Sequence, residues 1–281
     1  MLASRLPGLL PEASEAEALE SAAIASVSGR GLDLSRWRVR NFRSPHHTAS
    51  AVALVGGGAE PRPGEISLAH NGVLFLDELA EWDRRALEVL REPMESGVVT
   101  ISRAARSEEF PARFQLVAAM NPCPCGWSGD PSGRCRCSPD AILRYRARLS
   151  GPLLDRIDLQ LSVPRLAPHE MRGDAPRGES TAFVRDRVIA ARERQSLRAG
   201  KTNARLSQSE TESHCQLSRN DQNLLERAME SLQLSARATH RILRVARTIA
   251  DLADCKTIGS GHLAEAIGYR QLDRGQGRAV A

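Results

Sequence analysis

Two adjacent carboxylates close a short apolar run at Leu74-Phe75-Leu76-Asp77-Glu78. In nucleotide hydrolases such a pair forms a Walker B element: the aspartate helps hold Mg²⁺ and the glutamate polarises the attacking water. Taken alone, the pair reads more readily as a solvated strand end. A second buried run ends at Met120-Asn121-Pro122, where an amide could orient water in the same crevice, although a lone Asn121 also suits a turn. Arg156 lies between apolar residues in Ser150 to Leu159. Its fixed cationic fork could neutralise charge on a phosphoryl group across a subunit boundary, or it could pair with Asp155 or Asp158. Arg237, Arg241 and Arg244 fall at i, i+4 and i+7 on one helix face. That face is either solvated or brings Arg237 to a nucleotide.

Four of the six cysteines form C-x-C, nine residues, C-x-C: Cys123, Cys125, Cys135 and Cys137. As thiolates they could hold Zn²⁺ tetrahedrally and staple an insert, 122–139, that has almost no core. Structural zinc pairs usually have two or more intervening residues, so reduced structural cysteines are the alternative. Disulfides are disfavoured in a reducing cytoplasm. His46 and His47, adjacent on an extended segment, point to opposite sides and suit loop packing or a subunit contact better than shared metal ligation.

The elements that must position these residues follow from periodicity. The segment 40–64, with Gly56-Gly57-Gly58 and Pro61-Arg62-Pro63, predicts loops. Gly72 to Leu76 suits a buried parallel strand, and Leu87, Leu90 and Met94 mark a helix face closed by Gly97. Val98 to Ile101 and Phe114 to Met120 predict strands, with a projecting hairpin over Ser102 to Arg113. Leu153 to Leu159 reads as a helix end passing into a strand. Beyond a linker-like stretch the pattern is helical: Thr181 to Arg198, Asp221 to Leu232, Ser235 to Ala253 and Ser260 to Arg270, with Ser235 and Ser260 as N-caps.

Composition is that of a globular protein, with 41% hydrophobic and 26% charged residues. No run approaches a membrane span and no signal-peptide order opens the chain, so the cytoplasm is the expected location. The net charge of +5 is uneven: residues 1–140 carry 15 basic and 18 acidic groups, residues 141–281 carry 24 and 16. A basic second part fits a polyanion such as DNA, or simply solubility. In particular the arginines of Thr181 to Arg198 (Arg185, Arg187, Arg192, Arg194, Arg198) offer a DNA contact or a solvated face.

In order, these pieces resemble the magnesium-chelatase-like AAA+ ATPases of the ComM/YifB type. The carrying stretches are Phe42 to Thr48, Gly64 to Leu79 (GEISLAHNGVLFLDEL), Met120 to Gly126 (MNPCPCG), Ser150 to Asp158, and Val245 to Leu252. The resemblance implies an α/β fold: an AAA+ P-loop-type core with a parallel sheet over 1–167, a linker over 168–180, and an all-α lid domain over 181–281. It assigns Asp77 and Glu78 to the Walker B pair with Asp77 on Mg²⁺, Asn121 to sensor 1, Arg156 to an arginine finger and Arg237 to sensor 2. It further implies ATP as substrate, a homo-oligomeric, hexameric ring, and movement on DNA with branch migration during uptake and recombination.

The chain departs from that pattern in one respect. A P-loop, G-x-x-x-x-G-K-[ST], holds phosphates on its backbone amides and its lysine. None occurs here, Gly56-Gly57-Gly58 runs on into Ala59-Glu60, and no lysine precedes Lys201. In the family the segment resembling Met1 to Leu10 follows that loop directly. The expectation is therefore a core truncated at its P-loop, by a real gene split or a start assigned too late, that binds ATP weakly and does not turn it over. A metal-insertion motor acting on a porphyrin, and an inert fragment, stay open as alternatives to the DNA motor.

Overall fold

The computed structural model of the chain describes residues 2–29, 31–103, 106–165 and 178–270. Its contacts divide it into two compact units, Met1–Arg156 and Ile157–Ala281. Of the linker expected over 168–180, residues 168–177 lie outside the described residues.

The first unit begins with a 3-10 turn, Ala3–Leu9, then α1 (Glu15–Val27), β1 (Phe42–Arg43), α2 (Ala51–Val55), β2 (Gly56–Gly57), β3 (Arg62–Pro63) and α3 (Glu65–Leu68). It continues with β4 (Val73–Leu76), α4 (Arg84–Glu88), α5 (Pro93–Ser96), β5 (Val98–Arg103), β6 (Arg106–Pro111), β7 (Gln115–Ala118), α6 (Pro139–Arg146) and α7 (Gly151–Leu154). Strands β1, β4 and β7 form a parallel sheet in that order, with β4 central. The apolar run of β4 follows from that place: Val73, Leu74 and Leu76 are fully buried, as a strand covered on both faces must be. Gly72 admits the neighbouring chain, since a Cβ there would sit 2.1 Å from Asn41 O.

Helix α1 is fastened to the entry of β4 by polar contacts. Arg113 N–H donates to His70 Nδ1 at 2.9 Å, which leaves His70 Nε2 to donate to Glu20 at 3.0 Å. Asn71 Nδ2 also donates to Glu20, at 2.9 Å. The Asn71 and His70 hydrogen bonds hold the Glu20 carboxyl below its ordinary range.

A hairpin is present, but as the antiparallel pair β5 and β6: its first arm is the strand expected at Val98 to Ile101, extended to Arg103, and Ser102 to Arg113 does not form one by itself. The single helix expected through Leu87, Leu90 and Met94 is instead two short helices, α4 and α5. Pro93 opens the second of them, where a missing N–H costs nothing, and Gly97, at φ 74°, closes it. The strand expected after Leu154 is reduced to a bridge between Gln160 and Arg270.

The second unit is helical: α8 (Thr181–Ala199), α9 (Gln208–His214), α10 (Arg219–Leu232), α11 (Ala236–Leu252) and α12 (Ser260–Gly268). Leu225, Ile242, Ala246, Ala250, Ile258 and Leu263 form its core. Ser235 caps α11 as expected. Ser260 does not cap α12: Gly259 holds that place, and the Ser260 hydroxyl donates to Asp221 on α10. A buried polar knot ties α8 to α11. Asp251 accepts from Arg198 at 2.6 and 2.8 Å and from Asn203 Nδ2 at 2.8 Å, and pairs with Arg247 at 3.1 Å. No described helix is long and apolar enough to cross a membrane.

Candidate nucleotide-hydrolysis half-site

The half-site is built at the carboxyl ends of β4 and β7, which pair in parallel with Leu76 opposite Ala118. Asp77 and Glu78 emerge from the core as exposed residues. Glu78 adopts the left-handed conformation, φ 50° and ψ 45°, a sparsely populated state for a residue with a Cβ. Its surroundings over-determine it. Glu78 N–H donates to Asp77 Oδ1 at 2.9 Å, the Trp82 indole donates to Asp77 O at 2.9 Å, and Leu79 N–H donates to Ala119 O at 2.8 Å. Strain held in this way is characteristic of functional sites.

His47 Nδ1 lies 2.9 Å from Glu78 Oε2. His46 stays within its own loop, with Nδ1 2.9 Å from Thr48 Oγ1. The two histidines have different partners, but they do not point to opposite sides as expected: their ring centroids are 4.2 Å apart, and His47 reaches the acid pair and does more than pack a loop. The signal was topological: the loop follows β1, the parallel neighbour of β4, at the same end of the sheet. A strand of two residues, Phe42–Arg43, is too short to announce itself by periodicity.

Asn121 is exposed, three residues beyond the end of β7 and so beyond the same edge as Asp77. Gly126 turns back onto it; a Cβ there would lie 3.9 Å from Asn121 Oδ1. Arg156 is not a solvated cation. Its side chain is 11% exposed, with Nη2 2.8 Å from Glu95 Oε1 and Nη1 donating to Pro152 O at 2.6 Å. Glu95, on α5, is a partner that the local sequence around Arg156 could not supply. Of the two partners expected from the sequence, Asp155 and Asp158, the latter accepts from Arg241 at 2.7 Å.

Arg237 is exposed at the start of α11, in the second unit. The face it shares is not simply solvated: Arg241 pairs with Asp158, and Arg244 donates to Thr211 Oγ1 at 3.2 Å. Burial pulls the Arg244 guanidinium below its ordinary value. On α8, Arg187, Arg194 and Arg198 are paired with Glu179, Asp254 and Asp251 at 2.6, 2.7 and 2.6 Å. Much of that helix's charge is thus neutralised within its own unit.

Cys123, Cys125, Cys135 and Cys137 are brought together, with their sulfurs all within 4.8 Å of one another. Backbone N–H groups of Arg136 and Trp127 aimed at Cys125 lower its thiol to about 6. In Cys137 the Cys125 N–H acts in the same direction but is outweighed. Hydrogen bonding to Cys125, lost hydration and the Cys123 sulfur push its thiol up to about 11.

The donors at the strand ends are hard oxygens on exposed side chains, which suits Mg²⁺ and a water. They fit the metal-and-water side of a nucleotide site. No G-x-x-x-x-G-K-[ST] loop for the phosphates occurs in the 281 residues.

The family described as magnesium chelatase, subunit ChlI, matches residues 1–171, and its C-terminal counterpart matches residues 178–270. Competence protein ComM of Haemophilus influenzae is 54% identical over 275 residues, covering 98% of this chain and 53% of that protein. YifB of Escherichia coli is 54% identical over the same length, covering 98% and 54%. The chain thus spans about half the length of these curated relatives. The magnesium-chelatase 67 kDa subunit of Chlorobaculum parvum is 36% identical over 71 residues, 25% of this chain and 12% of that protein.

Proposed function

Because this chain belongs to the magnesium chelatase subunit ChlI family, we propose that it supplies the hydrolysis side of an ATP-driven motor that works on DNA, as one subunit of a hexameric cytoplasmic ring. The observation that carries the hydrolysis reading is the Asp77-Glu78 pair at the end of β4, with Glu78 strained, beside the strand that leads to Asn121. Mg²⁺, when bound, would supply Lewis acidity to the phosphoryl oxygens. Asp77 holds the metal, Glu78 accepts the proton of the attacking water, and Asn121 orients that water. Arg156 serves a neighbouring subunit's nucleotide, and Arg237 contacts phosphate. The phosphate-cradling loop is not among these 281 residues, so they bind ATP weakly by themselves.

The DNA reading rests on 54% identity across 98% of the chain to a competence protein, and on the basic excess of residues 141–281, 24 against 16. A metal-insertion motor is the second reading, supported by the shorter 36% match to a magnesium-chelatase subunit. The test is ATP turnover by a longer protein that carries these residues behind a phosphate-binding loop. Turnover that rises several-fold with DNA supports the proposal. Turnover indifferent to DNA but raised by a porphyrin and Mg²⁺ would replace it with the second reading, and no turnover in any mixture would remove both.

A further inference from the structure

Between β7 and α6 the chain runs through twenty residues, 119–138, with neither helix nor strand. Loops of that length inside a compact unit need a reason to be ordered. This one has little core, since Cys123 is its one buried hydrophobic residue. Its four cysteines come from a turn at Cys123 to Cys125 and from an irregular stretch at Cys135 to Cys137. The sulfur of Cys123 lies 3.4 Å from that of Cys125 and 3.8 Å from that of Cys135, and Cys125 and Cys135 are 3.7 Å apart. Four thiolates on a tetrahedral Zn²⁺ at about 2.3 Å stand about 3.8 Å from one another. A disulfide needs sulfurs at about 2.05 Å and joins only two.

The surroundings of the sulfurs are those of a metal knuckle. Ser128 N–H donates to Cys123 Sγ at 3.2 Å, an outer hydrogen bond of the kind that orients thiolate ligands. Gly126, Gly129 and Gly133 turn the loop at φ 78°, 83° and 67°. The Arg134 guanidinium stacks 4.9 Å from the Trp127 ring, closing the far end. The short C-x-C spacing is compensated by these turns, which bring the second pair back over the first.

We propose that Cys123, Cys125, Cys135 and Cys137 bind one structural Zn²⁺ as four thiolates, and that this knot tethers the strand end carrying Asn121. Binding releases the thiol protons to solvent and involves no redox change. The tether is short: Cys123 is two residues from Asn121, Gly126 folds against the Asn121 amide, and Arg146 of α6 donates to Pro122 O at 3.3 Å. The metal site stands independently of the hydrolysis reading. What the tether is for rests on that reading.

Purified chain should contain about one zinc per molecule, and replacement by Co²⁺ should give sulfur-to-cobalt charge-transfer absorption with tetrahedral d–d bands. Cys135→Ser should lose at least half the zinc, Cys135→His should retain it because imidazole is also a ligand, and Cys255→Ser, at an isolated exposed cysteine, should retain all of it. Equal zinc in wild type and Cys135→Ser, or no zinc together with a disulfide among the four, would overturn the site. Metal removal by a chelator should speed amide exchange at Leu79 and Ala119, which are bonded across the β4 and β7 ends. Unchanged exchange there on full zinc loss would overturn the tether without touching the proposal that the site hydrolyses ATP.

Discussion

His47 Nδ1 stands 2.9 Å from Glu78 Oε2, so the second acid of the strand-end pair is held by a residue from the loop after β1. Glu78 is strained in its backbone, and this contact together with the Asp77 hydrogen bond fixes where its carboxylate points. In a longer chain that turns over ATP, His47→Ala should lower kcat about ten- to a hundredfold, the range expected when a reacting group is misplaced by about 1 Å. KM for ATP should change little, because His47 touches the base and not the phosphates. A rise in KM with kcat unchanged would show that the histidine acts in binding.

Glu78→Gln keeps the shape of the site and removes the proton acceptor. Turnover should fall by about 10²- to 10⁴-fold, the usual contribution of a positioned base, while nucleotide binding persists. Single-turnover hydrolysis beside a binding titration separates the two. A variant within twofold of wild-type turnover would assign the acceptor elsewhere.

Arg156 is already held inside its own chain by Glu95 and Pro152 O, so acting on a neighbour's nucleotide requires the Glu95 pair to open or to be shared. In mixed rings Arg156→Ala subunits should lower the turnover of intact neighbours, approaching 10³-fold at full substitution. Glu95→Gln should leave turnover intact or raise it. If Glu95→Gln lowered it as far as Arg156→Ala, the pair would be structural.

The α/β first part with a helical second part, the buried strand before Asp77 and the helices α8, α10, α11 and α12 were legible because long apolar runs at period 3.6, or continuous over a buried strand, leave little choice of element, whereas the seven-residue α9 was not. The gathered cysteines were legible as a pattern, though only the turns at Gly126, Gly129 and Gly133 show that a C-x-C spacing can converge. His47 to Glu78 and Glu95 to Arg156 were not legible. Each joins residues far apart in sequence through elements of two to four residues, β1 and α5, whose lengths carry no periodic signal. Ser260 failed as an N-cap for a related reason: its hydroxyl is taken by Asp221 from another helix, and no local rule sees that competitor.

Asp251 is the centre of the second unit's polar knot, its side chain 1% exposed and that of Arg247 3% exposed. Truncation to alanine removes the carboxylate that faces the buried Arg247 guanidinium and takes from Asn203 Nδ2 one of its two acceptors, Thr248 Oγ1 at 3.0 Å remaining. Asp251→Ala should destabilise the chain by about 3–5 kcal/mol. The measurement is urea unfolding followed by far-UV circular dichroism. The three tryptophans, Trp37, Trp82 and Trp127, all lie in the first unit, so indole fluorescence reports separately on the unit that does not contain the change. A loss under 1 kcal/mol would mean that water replaces the carboxylate.

Acid should loosen the second unit through three carboxylates. Lys201 and the Ser207 groups lower Glu210 from 4.5 to about 2. The Ser260 and Ser218 hydroxyls hold Asp221 below its ordinary 3.8. Burial alone would raise Asp251, but its bonds to Arg198 and Asn203 outweigh that and lower it. A carboxyl whose folded value lies below its unfolded one binds fewer protons when folded, so it stabilises above the unfolded value and loses that contribution as pH falls through the folded one. Helical stability should therefore hold above about pH 4.5 and decline from there toward pH 2, the interval set by Glu210. Lys201→Met removes the main cause of the Glu210 shift, so the decline should steepen less at its lowest end. Urea midpoints that stay level from pH 6 down to about 2 would show that these carboxylates are as well satisfied in the unfolded chain.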